Sequence, residues 1–402
     1  MSDFYQTGVI STLHRFPGTK LEKMEGDLKR FQRQQPLTLL LPSLWLEFEG
    51  PAMPKITEEL RHVRYLRQIV LVLDRADDLQ FKKVKTAFRD MPTPTRIIWN
   101  DGPRMTELYS LLAQNNIPVG SRGKGRSVWM GMGYILSDEK SYAIALHDCD
   151  ILTYSRELLA RLCYPVTSTS MSYEFAKGYY ARVSDRFNGR VTRLFMTPLV
   201  RTLEKMAGYV PFLVFLDSFR YPLAGEFAMT TDLARIVRIP SDWGLEVGML
   251  SEVFRSCASR RICEVDLCET YDHKHQDLSQ ENPEAGLNRM AVDIAKHLFR
   301  TLASEGIVIS DGFFKSVKAA YLREAQDAIR KYDDDARING LSFDRHTEGT
   351  AVDTFAKSIE VAAKTVIEDP LGTPLIPNWN RVMSAIPEFL ERFRAAVEED
   401  NK

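Results

Sequence analysis

Apolar and polar positions along this chain follow three rhythms in succession. From 37 to about 160, short apolar runs alternate with amphipathic segments. The runs at 37–42, 68–74, 95–100 and 141–151 have the length and continuity of strands buried on both faces. Helical periodicity fills 53–66, 78–90, 105–114 and 127–136 between them. This β–α alternation calls for right-handed crossovers and a mainly parallel, doubly wound sheet. Ahead of it, 8–14 reads as a short strand and 21–34 as a charged helix. From 161 to 282 the pattern is mixed: an aromatic and basic stretch at 173–182, a helix at 191–207 behind an Asn188-Gly189 turn, a helix at 243–258 and an alternating strand at 262–268. From 283 onward the chain turns to amphipathic helices at 285–305, 311–333, 350–367 and 379–399, with connectors at 333–337 and 369–374. The expected division is an N-terminal extension (1–36), an α/β domain (37–282) whose halves meet near 160, and a C-terminal helical extension (283–402) that packs on the domain or forms a dimer interface.

Composition narrows the partners. A chain of 402 residues, 44% hydrophobic and 27% charged, is an ordinary globular one. Its net charge of -1 gives no global field for nucleic acid or an acidic membrane, so an anionic ligand must be held by local cations. No apolar stretch nears the roughly 20 residues that span a bilayer, and the first residues lack the basic-then-apolar pattern of a signal peptide. Five scattered cysteines point to reduced thiols in the cytoplasm. Cys263, Cys268, His273 and His275 have a spacing that a zinc knuckle could use. The intervening Glu264-Val265-Asp266-Leu267 alternates as a strand does, so the cysteines read as small apolar residues.

The candidate chemistry begins at Asp148-Cys149-Asp150, at the C-terminal edge of the 141–151 run. That is where open α/β sheets place ligands, and two carboxylates in a loop there can face one divalent cation carrying a diphosphate. The preceding Gly120-Ser121-Arg122-Gly123-Lys124-Gly125-Arg126-Ser127 is a glycine-rich basic loop opening a helix. It lacks the Walker spacing but suits an anion. Asp74 ends another strand. Gly189, Arg190 and Thr192 at a helix start offer backbone N–H groups, a guanidinium and a hydroxyl to a phosphate or carboxylate. Gly225-Glu226 suggests backbone lying close to a ligand. Glu246 lies in the first turn of the 243–258 helix, and His273 becomes a third metal ligand if the aspartates hold a metal. The plainer alternatives are a solvated turn, a solvated loop, a helix cap and a helix-dipole carboxylate.

Taken in order, the strand-end proline, the Gly-Lys-Gly loop, Asp-x-Asp, Gly-Arg-Val-Thr followed by Pro198-Leu199, Gly-Glu-Phe-Ala, the run Trp-Gly-Leu-Glu-Val-Gly at 243–248 and a histidine-bearing loop resemble the glucosyl-3-phosphoglycerate synthase family, retaining glycosyltransferases of family 81. The resemblance covers about 37–280. It implies a GT-A fold, a Rossmann-like nucleotide-sugar transferase architecture. The implied activity is metal-dependent transfer of glucose from UDP- or GDP-glucose to 3-phosphoglycerate, giving a compatible-solute precursor. It further implies that Pro42, Ser43, Leu44, Glu47, Asp74, Lys124, Asp148, Cys149 and Glu226 line the nucleotide sugar. Asp150, Asp148 and His273 hold Mg²⁺ or Mn²⁺, with Asp150 the most direct ligand. Gly189, Arg190, Val191, Thr192 and His275 take the acceptor, and Glu246 faces the transferred sugar, so that Asp150, Glu246 and Arg190 carry catalysis. Three departures stand out, one of them a helical tail after about residue 283 that runs longer than in the family. The family's Pro-Ala-Leu-Asn-Glu-Glu is Pro42-Ser43-Leu44-Trp45-Leu46-Glu47 here, and His275 stands where the family has asparagine. The alternatives are another donor or acceptor (GDP-mannose, free glycerate), a sugar-phosphate nucleotidyltransferase, and a non-catalytic nucleotide-sugar-binding protein. A homodimer is expected.

Overall fold

The computed structural model describes residues 6, 8–273 and 286–402. Eight strands form one sheet in the order β1-β8-β6-β7-β5-β2-β3-β4. They are β1 (Ser11–Leu13), β2 (Leu37–Leu44), β3 (Gln68–Asp74), β4 (Thr95–Trp99), β5 (Ala143–Leu146), β6 (Phe175–Tyr179), β7 (Phe227–Thr230) and β8 (Ile262–Asp266). All seven residues of β3 are buried, as its unbroken apolar run demands of a strand covered on both faces. Pairing is parallel except at β7, which runs antiparallel to both β5 and β6. The chain moves outward from β2 to β3 and β4, then returns to place β5 on the other side of β2. The switch point of the sheet therefore lies at the C-terminal ends of β2 and β5, the position where such sheets bind ligands. Ser11–Leu13, in the stretch read as an N-terminal extension, pairs in parallel with β8 at the sheet's edge.

Three elements differ from the sequence reading for identifiable reasons. The 191–207 helix opens as a wide π-helical turn, Val191–Met196, before the α-helix Thr197–Ala207. Pro198 has no N–H to give the carbonyl of Leu194, and that carbonyl accepts the buried Tyr321 hydroxyl from a C-terminal helix instead, at 2.7 Å. The acidic run at 333–337, expected as a connector, lies within the helix Asp311–Ile338. Asp333 is buried there and accepts from Arg337 at 3.1 Å and Arg345 at 2.6 Å, so its charge is matched locally. The last predicted helix is two, Trp379–Ala385 and Phe389–Asp400, interrupted at Pro387.

The C-terminal helices pack directly on the sheet layers. Trp379 stacks on Trp129 of the helix Lys124–Leu136 with ring centroids 4.1 Å apart, and each indole N–H finds a backbone carbonyl: Pro377 for Trp129, Trp129 for Trp379. The Asn401 side chain bonds both the N–H and the C=O of Ile97, closing part of the free edge of β4. Among the described residues no helix is long and apolar enough to cross a membrane.

His147, just past β5, is fully buried, and neither ring nitrogen has a partner among the described residues. Burial pushes its pKa from 6.5 down to about 4. The folded state thus holds it neutral, so its contribution to stability is complete above about pH 6.5 and is lost as the pH falls toward 4. A shift of this size corresponds to at most about 3 kcal/mol. The urea midpoint should fall between pH 7 and pH 4.5, and fall less in His147→Leu. An identical pH dependence in the variant would contradict this.

Candidate active site

Strand register builds the centre of the site. β5 and β7 pair Leu146 with Phe227, and continuing that antiparallel register by two residues sets Asp148 opposite Gly225. The approach is so close that a Cβ on Gly225 would lie 2.2 Å from Asp148 Oδ2 and 3.0 Å from Lys124 Nζ. Only glycine fits. Gly225→Ala should therefore displace Asp148 and Lys124 and lower kcat/KM for the donor by roughly 100-fold, the scale of a 1 Å misplacement, with little change in melting temperature. Near-normal donor kinetics in the variant would show that this pair is not at the chemistry.

Lys124 stands in the first turn of its helix, which begins three residues earlier than the sequence suggests. The flanking Gly125 packs on the segment that leads toward Glu246: a Cβ there would meet the Pro240 carbonyl oxygen at 1.9 Å. Lys124 Nζ lies 2.7 Å from Asp148 Oδ1 and 3.1 Å from Glu246 Oε1. Burial works against its charge, but Asp148 and Glu246 outweigh that and hold its pKa above the usual lysine value. Burial also pushes Asp148 up to about 6, with Glu226 and Asp150 adding to the rise and Lys124 opposing it. The loop's other cations are engaged elsewhere. Arg122 pairs with Asp74 at 2.7 Å and with Asp101, and Arg126 lies over the Tyr109 ring.

Asp150 faces a different partner. An isolated bridge between Ile151 and His273 brings the imidazole alongside, with Nδ1 3.3 Å from Asp150 Oδ2. Burial works against the Asp150 charge, but the hydrogen bond and charge of His273 overcome it and lower the pKa. A carboxylate oxygen and an imidazole nitrogen this close together are ligand types that suit a divalent cation. Asp148 turns instead to Lys124, and no three such ligands converge among the described residues. The pair therefore fits a cation that is shared with a ligand's own oxygens. His275 lies outside the described residues.

The other residues expected around the nucleotide sugar occupy distinct places. Pro42, Ser43 and Leu44 end β2, and Glu47 follows on the short helical turn Trp45–Glu49. Asp74 is buried at the end of β3 and accepts from Arg75 N and Arg122 Nε. Cys149 points away from its neighbours into the core, where burial raises its thiol pKa. Glu226 is wholly buried beneath Gly225 and accepts the hydroxyls of Tyr180 and Tyr271, each at 2.7 Å, from two rings stacked 3.7 Å apart. On the acceptor side, Gly189 adopts φ +70°, Thr192 and Val191 are buried, and Arg190 Nε donates to Glu348 at 2.8 Å.

Sequence reading includes Lys177 in the aromatic and basic 173–182 stretch, where acceptor contacts are possible and packing is the plainer role, and misses His297 and Glu348. Lys177 is 1% exposed on β6, donates to the Ala224 carbonyl and has its pKa pushed by burial to about 8. A lone lysine inside the apolar Phe175-Ala176-Lys177-Gly178-Tyr179 was the available signal. His297 bonds Asp242 at 2.9 Å behind the turn that presents Glu246. Glu348 reaches Arg190 from 158 positions away, where no local pattern can announce it.

The chain is 53% identical over 401 residues to the glucosyl-3-phosphoglycerate synthase of Persephonella marina, spanning 100% of this chain and 99% of that protein. It is 40% identical over 405 residues to the enzyme of the same name from Methanococcoides burtonii, spanning 100% and 98%. In three dimensions it resembles the Mycobacterium tuberculosis glucosyl-3-phosphoglycerate synthase crystallised with Mn²⁺, UDP-glucose and phosphoglyceric acid. The TM-score is 0.52 at 18% identity, over 75% of this chain and 89% of that one, a likeness of GT-A fold. No protein-family model matches the chain.

Proposed function

The chain belongs to the glucosyl-3-phosphoglycerate synthase family, and from that premise we propose that it moves glucose from an NDP-glucose to 3-phospho-D-glycerate, with retention, at the Lys124–Asp148–Asp150–Glu246 cluster. The observation that carries this assignment is convergence. Separate segments bring a lysine, three carboxylates and a histidine to the switch point between β2 and β5. Uridine as the base is supported by the UDP-glucose held in the Mycobacterium tuberculosis structure. The five cysteines, all unpaired, support a reducing cytoplasmic setting.

Asp150 and His273 would hold Mg²⁺ or Mn²⁺, which supplies positive charge where the departing diphosphate gains negative charge. The remaining work falls to the chain's own groups. Lys124, kept protonated by its neighbours, holds Asp148 and Glu246 together against their mutual repulsion and fixes both toward the donor. Glu246, buried in a first helical turn, faces the sugar and stabilises it as it becomes oxocarbenium-like. Gly189, Arg190, Val191 and Thr192 hold the anionic acceptor close to the anomeric carbon, which contributes by proximity.

Release of UDP or GDP from its glucose ester on addition of 3-phosphoglycerate tests the assignment, and no release with any pairing would contradict it. Arg190→Ala should raise the acceptor KM by about 10- to 100-fold, the loss of charge-assisted hydrogen bonds, and leave the donor KM within about twofold. A defect confined to the donor would place Arg190 elsewhere.

A further inference from the structure

We propose that Glu348, in the C-terminal helical bundle, is a positioning residue for Arg190, so that the bundle sets the affinity for the anionic acceptor. The inference rests on the reading of Arg190 as acceptor-binding. Glu348 is 5% exposed and sits in the first turn of the helix Arg345–Glu368, anchored by the Asp344 cap. Its Oε1 accepts from Arg190 Nε at 2.8 Å and its Oε2 from Arg193 at 3.1 Å, so one carboxylate bridges two guanidinium groups.

Arg193 extends the link to the turn itself. Its Nε donates to the Asn188 carbonyl at 2.9 Å and its terminal nitrogen to Phe187, while its plane lies over the Tyr332 ring at 4.9 Å. Glu348, Arg193 and the 187–189 turn are therefore one unit. Glu348 engages Arg190 only through Nε. Among the described residues the four N–H groups on its terminal nitrogens meet no other acceptor, and the side chain is 33% exposed. Glu348 offsets one of the two guanidinium charges it bridges, and Arg182 packs against Gly189 at the same corner, so the corner stays positive for an anionic ligand. A carboxylate competing with the ligand would instead occupy the two terminal nitrogens, the end-on bidentate face that Glu348 leaves open.

The test is Glu348→Gln, which keeps the shape and removes the charge, measured singly and with Arg190→Ala. The acceptor KM should rise roughly 5- to 20-fold, with kcat and the donor KM within about twofold, the size expected for loosening one charge-assisted contact. In the Arg190→Ala background the same change should have a clearly smaller effect, the remainder passing through Arg193 and the 187–189 turn, and an undiminished effect there would overturn positioning through Arg190. A fall in the acceptor KM would make Glu348 a competitor and overturn the proposal. So would an unchanged acceptor KM, or an equal loss toward donor and acceptor. If Arg190→Ala alone leaves the acceptor KM unchanged, the acceptor reading itself fails, whatever Glu348 does. Glu348→Ala, which strips the counter-charge from two arginines, should show the same selective effect, and a melting curve would report any loss of fold separately.

Discussion

Asp150→Ala should retain less than about a thousandth of wild-type turnover while folding normally. The reason lies in what faces Asp150. Among the described residues His273 is the partner its side chain bonds, and the two are held together by the bridge between Ile151 and His273 rather than by flexible side chains. His273 lowers the Asp150 pKa against the opposing effect of burial, so the carboxylate stays ionised and available at neutral pH. Without it, His273 offers a single ligand, too few to retain a cation against water. A metal clamp on a departing phosphate group contributes several kcal/mol, and about 4 kcal/mol is a thousandfold in rate. Titration of Mn²⁺ by calorimetry should show the same loss without reference to activity. Undiminished turnover, or undiminished Mn²⁺ binding, would remove Asp150 from this role.

Lys124→Met should be nearly as damaging by a different route. Methionine keeps most of the length and removes the charge, which leaves Asp148 and Glu246 beside each other in a partly dry site. Asp148 already has its pKa pushed up to about 6 by burial with Lys124 present. Without the lysine it would hold its proton at neutral pH or turn away. A loss of about a thousandfold in kcat/KM for the donor is expected, from the misplacement of two carboxylates. A stability loss of about 2 kcal/mol should accompany it, discounted from a fully buried pair because the Lys124 side chain is 31% exposed. If Lys124→Met is destabilised but catalytically sound, the lysine is a structural counter-ion and nothing more.

Much of this was legible in the sequence because it is local. The apolar run of β3 was read with its exact ends because each of its residues is buried. The Asp148–Asp150 pair and the Lys124 loop were legible because each is a short motif at a strand end or helix start. What escaped reading acts across long separations. Pro198 signals a disturbed helix, but only the fold shows that Tyr321 takes up the carbonyl it strands. The triple aspartate at 333–335 looks like a solvated connector until Arg345 is seen folding back on Asp333. Glu226 reads as a ligand contact from its glycine neighbour, and its place beneath two tyrosines depends on strands far apart in the chain.

The C-terminal helices gain meaning from the same contacts. They touch three segments that carry site residues: Trp379 on the Lys124 helix, His297 beneath the Glu246 turn, and Glu348 on the Arg190 loop.

The most direct test of the whole account is the identity of the product. With Mn²⁺, UDP-glucose and 3-phosphoglycerate, the enzyme should release UDP and form a glucoside of 3-phosphoglycerate whose anomeric proton has the small coupling of an α-linkage. A β-linked product, a product lacking phosphoglycerate, or pyrophosphate in place of UDP would contradict it.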